Sequence, residues 1–225
     1  MKVIVTGCTG LVGGALLREC IGNPRITHAF ALTRKALPTD VTNNEKITVI
    51  QHEDFASYPP ELLQKLAGAE ACLWAIGGTV RQLGGDAEYC RKVNVDFTLA
   101  AAKAFVNGKL AGSQNKFRFV FCSGKFAEWD QDKWLPFLGD TRRIKGLVEK
   151  GLVDLAKEHP QDLETWCVRP GDIFPPDANI LRRNATALTS GIENLKLAAA
   201  MSKIALDGHQ NQIVGMDELP SLAER

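Results

Sequence analysis

An α/β fold built on a doubly wound parallel sheet is what this sequence predicts, and three observations carry the prediction. Short apolar and β-branched runs alternate with longer amphipathic stretches along most of the chain, the pattern of parallel strands joined by crossover helices. The first run, Lys2–Thr6, is almost continuously apolar, as in a strand covered on both faces. It leads directly into Gly7, Gly10 and Gly13, spaced by three, which open the first helical stretch.

Each element follows from local sequence. Leu11–Cys20 reads as a helix, and Gly22-Asn23-Pro24 stops it. A second strand is expected at His28–Thr33 and a third at Ile47–His52. Pro59-Pro60 precedes a short helix at Glu61–Leu66, and a fourth strand, Ala71–Ile76, ends in Gly77-Gly78. A long helix runs from about Asp86 to Phe105, with Val93, Phe97, Ala100, Ala101 and Ala104 at helical spacing. The fifth strand, Phe117–Cys122, is followed by a loop rich in Trp, Asp and Lys. Helix Thr141–Glu158 sets Ile144, Leu147, Val148, Leu152 and Leu155 on one side and ends at His159-Pro160. The sixth strand, Thr165–Val168, closes in Arg169-Pro170-Gly171. From Asp177 two helices are expected, then an extended piece at Gln212–Val214 and a final turn. No repeat, low-complexity tract or interdomain linker interrupts the chain. Residues 1–225 are therefore expected to form a single Rossmann-type domain, with about 171–225 a small helical portion on the substrate side.

Composition narrows the function. The chain is 45% hydrophobic and 24% charged, as in an ordinary globular protein. A net charge of +1 provides no field to steer nucleic acid or an anionic membrane, and neither is expected as a partner. No apolar run approaches the length of a membrane span. The six cysteines form no CxxC pair and no metal-like grouping with histidine, so no metal is expected. Cys72, Cys122 and Cys167 sit inside strand runs, where they act as small buried hydrophobes. MKVIVTG enters a strand at once and leaves no room for a secretory signal, so the expected location is cytoplasmic.

The glycines carry the chemistry. A glycine triplet between an apolar strand and an amphipathic helix is the setting in which a turn cradles a pyrophosphate. Gly7 allows the tight turn, Gly10 lets the phosphates approach the backbone, and Gly13 lets helix and strand pack closely. The intervening Thr9, Leu11 and Val12 offer backbone N–H groups at the positive end of the helix dipole. Cofactor choice is set at the end of the second strand, where a carboxylate would bind the ribose 2′-hydroxyl of NAD. Here stand Thr33-Arg34-Lys35, two cations that suit the 2′-phosphate of NADP. NADPH is therefore the expected cofactor over NAD. Further contacts are expected from Asp54 and Phe55 after the third strand, with Asp54 accepting from the adenine amino group. Others are expected from Ala75 and Gly77 at the end of the fourth strand and from Pro170 after the sixth.

The order TGxxGxxG, an apolar strand running into Ser123, then Lys145 and Arg169-Pro170-Gly171 resembles the short-chain dehydrogenase/reductase superfamily, in its atypical, epimerase-like branch. The resemblance runs from Met1 to about Pro176, and Asn94 resembles an asparagine that many extended members carry in the equivalent helix. It implies a serine and a Tyr-x-x-x-Lys pair around the reacting carbonyl, the tyrosine as general acid or base and the lysine also on the nicotinamide ribose. Ser123 and Lys145 match, but the position four before Lys145 is Thr141, and neither Tyr58 nor Tyr89 has a lysine four residues later. A phenol of ordinary pKa about 10 can be tuned toward neutrality, whereas an alkyl alcohol is a far weaker acid. Lys145 is expected to hold the ribose and, if desolvated, to act as the acid. Lys125, Asp130, Asp132 and Asp140 are the other proton sources, each more simply a solvated loop charge, and Trp129, Trp134 and Phe137 form a lid or packing. None of His28, His52, His159 and His209 has a partner at triad or ligand spacing.

Two functions fit. One is an NADPH-dependent reductase of a small, largely apolar carbonyl or enone, with Ser123 orienting the oxygen. The other keeps the NADP pocket without net redox chemistry, as an isomerase, a cyclase or a cofactor-sensing regulatory protein. Only about fifty-five residues follow Pro170, so the pocket is either shallow or completed by a second subunit in a homodimer.

Overall fold

The computed structural model describes residues 1–112, 114–179, 181 and 190–224. Its strands are β1 (Lys2–Thr6), β2 (His28–Thr33), β3 (Ile47–Gln51), β4 (Ala71–Trp74), β5 (Phe117–Cys122), β6 (Leu163–Val168), β7 (Ile173–Phe174), β8 (Ile192–Glu193) and β9 (Ile213–Val214). Among the described residues seven of them form one sheet in the order β3-β2-β1-β4-β5-β6-β9, while β7 and β8 pair separately. Every neighbouring pair in the large sheet is parallel, with Ile4 of β1 opposite Phe30 on one side and Cys72 on the other.

The helices are α1 (Leu11–Gly22), α2 (Thr39–Thr42), α3 (Pro60–Lys65), α4 (Ala87–Arg91), α5 (Phe97–Asn107), α6 (Gly139–Glu158), α7 (Asn194–Asp207) and α8 (Leu219–Leu222). Because successive strand side chains point to opposite faces, the sheet feeds two cores. Ile4, Trp74, Phe117, Phe119 and Phe121 meet α3, α5 and α6 on one face. Val3, Val5, Leu73, Val120 and Trp166 meet α1 and α7 on the other. The first core is largely aromatic: Trp74 stacks on Phe119 at 5.7 Å, and Phe105 lies 5.6 Å from Phe117. Full burial of each such side chain contributes about 1.5–3 kcal/mol.

The fourth strand and the long helix differ from expectation for local reasons, and the expected extended piece near the C-terminus is a strand. β4 ends at Trp74 instead of Ile76, because the Ala75 N–H donates to Thr6 Oγ1 (3.1 Å) instead of continuing the ladder. The long helix starts at Ala87, capped by Asp86, and its middle, Lys92–Asp96, is a π-helical turn between α4 and α5. The piece at Gln212–Val214 becomes β9, the outer strand beside β6. The first of the two helices expected after Asp177 falls outside the described residues. The second is α7, and it packs on α1. The C-terminal portion thus completes a helical layer and the sheet edge.

The segment after β5 is pressed against α6 at Gly146, where a Cβ would sit 1.7 Å from the Glu128 carbonyl oxygen. Gly146→Ala must push that backbone away, and a loss of about 3 kcal/mol is expected in urea denaturation.

Candidate functional site

The direction of chain progression reverses between β1 and β4, and the loops leaving these two strands open a crevice at their carboxyl ends. The turn after β1 needs its glycines for contact reasons. Gly7 has φ 66°, and a Cβ on it would meet Ala75 O at 2.5 Å. A Cβ on Gly13 would lie 2.1 Å from Gly7 O. Gly10 caps α1, and no acidic side chain sits in the first turn to offset the dipole. Cys8 is walled into this turn; burial pushes its thiol up to about 12, so it is a packing group.

At one end of the crevice a pocket of about 120 Å³ is lined by Gly7, Thr9, Arg34, Lys35 and Phe55 among others. The two cations are therefore among the residues that line this pocket with the glycine turn. Asp54 is not: one of its carboxylate oxygens accepts from Ala56 N–H (3.0 Å), closing its own turn, and it does not line the pocket.

A larger cavity, about 680 Å³, starts at Gly10, Leu11 and Val12 and passes Ala75 and Gly77. It ends among Ser123, Thr141, Lys145 and Pro170, so residues far apart in sequence share one space. Gly77 (φ 139°) is pinned by Asn94, on the π-helical turn: a Cβ there would lie 2.4 Å from Asn94 Oδ1. Asn94 is fully buried, donates to Cys90 O (2.8 Å) and Gly78 O (3.1 Å), and accepts from Gly78 N–H (3.2 Å). π-turns often mark functional positions, and this one holds the loop that walls the cavity.

Lys145 Nζ donates to Cys122 O (3.3 Å) and lies 4.8 Å above the Phe121 ring. Burial disfavours its charge and lowers its pKa below the ordinary lysine value. Thr141, one turn earlier, accepts from the Val80 N–H at 3.0 Å, tying the loop after β4 to α6. The hydroxyl that replaces the missing phenol thus latches a wall of the cavity.

Ser123 departs from its expected role. Its hydroxyl donates to Glu149 Oε1 at 2.6 Å, so it does not stand ready to donate to a carbonyl. Glu149 is fully buried. It also accepts from Trp129 Nε1 (2.7 Å) and from Arg169 through Nε (2.9 Å) and Nη2. In return the carboxylate raises the Arg169 pKa. Sequence reasoning missed Glu149, although a signal existed: it lies four residues after Lys145, flanked by the core positions Val148 and Leu152 of the same helix.

Most of the remaining candidates have partners of their own. Asp140 pairs with Arg143 at the surface, and Asp130 caps its own loop by accepting from Asp132 N–H. Lys125 lines the cavity and donates to Ser190 Oγ (2.8 Å). Trp134 is 80% exposed, whereas Phe137 stacks with Phe126 and the Arg142 guanidinium at the mouth. Tyr58 is buried against Phe105, with burial raising its pKa, and Tyr89 is exposed on α4. His28 pairs with Thr48 and His209 with Glu218, both away from the cavity.

Fold and crevice together define a Rossmann-type α/β domain with a side-chain cluster at the far end of its nucleotide-style cleft. Solved structures narrow this to the fold of the short-chain dehydrogenases/reductases, in the form shared with NAD-dependent epimerases and dehydratases. A short-chain dehydrogenase/reductase from Saccharomyces cerevisiae superposes with TM-score 0.71 at 14% identity, over 99% of this chain and 98% of that one. The dTDP-glucose 4,6-dehydratase DesIV from Streptomyces venezuelae, solved with NAD, gives 0.69 at 14% identity over 99% and 80%. Gre2 from Candida albicans, solved with NADPH, gives 0.69 at 16% over 94% and 76%. At 14–16% identity these likenesses show the fold.

No protein-family model matches the chain. Leucinostatins biosynthesis cluster protein T of Purpureocillium lilacinum is 35% identical over 123 residues, 55% of this chain and 42% of that protein. The mitochondrial protein fmp52 of Emericella nidulans is 31% identical over 172 residues, 76% of this chain and 66% of that protein. FMP52 of Kluyveromyces lactis is 24% identical over 100% of this chain and 99% of its own. The chain thus spans less than half of the first of these relatives and about two thirds of the second. The FMP52 proteins are named mitochondrial, which overturns the expected cytoplasmic location. The six cysteines are free.

Lys145 sits where charge is costly. Replacing it by Met is expected to raise stability by about 1 kcal/mol at neutral pH. The folded pKa lies below the unfolded one, so the unfolded chain binds the extra proton and wild-type stability rises with pH between the two values. The advantage of Lys145→Met should be full below the depressed folded value and vanish above the ordinary lysine range, as thermal melts at several pH values would show.

Proposed function

We propose that the crevice binds NADPH and that the protein reduces a small, largely apolar carbonyl or enone. The observation carrying this reading is a single cavity that runs from the N-terminal turn of α1 to Lys145 and Thr141. The residues fit the cofactor: side chains at Gly7 and Gly13 would fill the cradle, and the N-terminus of α1 faces it with unopposed positive character. Arg34 and Lys35 would hold the 2′-phosphate. When bound, the nicotinamide supplies the hydride.

The protein's own share is orientation and one proton. Lys145 holds the ribose hydroxyls, and its depressed pKa makes the ammonium a better proton donor than an ordinary lysine. Thr141 keeps the Val80 backbone, and with it the wall of the cavity, in place. A relative named for a biosynthesis cluster favours an enzyme over a purely structural protein. The internal hydrogen bonds of Ser123 and Thr141 favour the second reading, a non-redox isomerase or cyclase or a cofactor-sensing protein on the same pocket.

Calorimetric titration tests the cofactor: NADPH should bind at least about tenfold more tightly than NADH. Arg34→Ala with Lys35→Ala should weaken NADPH by about 10- to 100-fold while sparing NADH. No binding of either nucleotide would end this reading. In a carbonyl panel NADPH absorbance should fall, and Lys145→Ala should suppress the change. Product formed at constant NADPH absorbance would select the non-redox reading instead.

A further inference from the structure

We infer that Glu149 makes Ser123 a hydrogen-bond acceptor toward the cavity, so that the ligand group held there is a hydroxyl and the carbonyl substrate is a hydroxycarbonyl. This rests on the cavity being the substrate site and narrows what it takes.

The argument is one of donors and acceptors. Glu149 Oε1 meets Ser123 Oγ and Arg169 Nε, while Oε2 meets Trp129 Nε1 and Arg169 Nη2. Indole and guanidinium groups only donate. Glu149 is fully buried and Arg169 is 25% exposed, so a neutral Glu149 would strand a largely buried guanidinium without its counter-charge. The carboxylate is therefore the anion and has no proton to give. The hydrogen in the Ser123–Glu149 contact belongs to the serine.

A serine hydroxyl has one proton and two lone pairs. With the proton committed to Glu149, lone pairs are what Ser123 presents to the cavity it lines beside Thr141 and Lys145. Among the described residues no group donates to Ser123 Oγ. A carbonyl oxygen would face those lone pairs with its own, whereas a hydroxyl donates to them. Turning the serine proton toward a carbonyl would strip a buried carboxylate of one charge-assisted bond, a bias of about tenfold or more. Glu149, which faces no ligand, acts as a positioning residue.

The test uses cyclohexanol and cyclohexanone, one skeleton with either oxygen, binding to the cofactor-free protein so that no turnover intervenes, followed by NMR. Cyclohexanol should bind about tenfold more tightly. Ser123→Ala, which leaves the Glu149–Arg169–Trp129 contacts in place, should equalise the two, and Ser123→Thr should keep the preference. Glu149→Gln has an amide N–H that can donate to Ser123 and release the serine proton, and it should reverse the preference toward the ketone. Infrared difference spectra of wild type against Glu149→Gln should show a carboxylate and no carboxylic-acid band at neutral pH. An acid band, equal affinities in wild type, a ketone preference, or no binding of either probe up to its solubility would overturn the inference. Loss of the hydroxyl preference with NADPH still bound defeats this inference alone, whereas failure of NADPH to bind defeats the functional reading.

Discussion

A carboxylate sealed from water organises the far end of the crevice. Burying an ion costs several kcal/mol unless donors replace its hydration, and breaking such a set by removing one partner costs about 3–5 kcal/mol. Glu149 meets that demand by drawing in Ser123 from the end of β5, Trp129 from the loop beyond it and Arg169 from the end of β6. Three segments distant in sequence are thereby held against one turn of α6. The positions of Lys145 and Thr141, one and two turns earlier on that helix, follow from where Glu149 is anchored.

The two ends of the crevice are built on different principles. At the β1 end the constraint is steric and lies in the backbone: Gly7 against Ala75 and Gly13 against Gly7 leave no room for a side chain. Such a site tolerates change poorly but asks little of its neighbours' chemistry. At the α6 end the constraint is electrostatic and is shared among side chains, so each group's proton is committed by the next. Ser123 donates its hydrogen bond to Glu149, Thr141 accepts one from the Val80 N–H, and Lys145 is left as the cation of depressed pKa between them. A serine, a threonine and a lysine at familiar spacing therefore amount to a different set of donors and acceptors from a serine, a tyrosine and a lysine.

Much of the fold was legible because it rests on local rules. β2 and β5 coincide with their expected ranges, and the strand that leads into the glycine turn was read whole. Arg34 and Lys35 share a pocket with the glycine turn because both segments leave carboxyl ends of neighbouring parallel strands. Asp54 closes its own turn through the Ala56 N–H, a role that a linear string does not separate from contact with a ligand. Glu149 was passed over because helical periodicity scores a lone acid in an apolar stripe as an irregularity, while its meaning depends on Arg169 and Trp129 arriving from elsewhere.

By itself the amino-acid order determined the alternation of strands and helices, the turn that only glycine can make, and the absence of a phenol four residues before Lys145. These are consequences of backbone geometry and short-range spacing, which a string of residues contains in full. Only the tertiary structure decided which hydroxyl keeps its proton, since that depends on the charge of a carboxylate whose partners come from three other segments. It also decided that the C-terminal chain supplies a helix against α1 and a sheet edge beside β6, because long-range packing selects the partner of an amphipathic face and periodicity reveals only that the face exists.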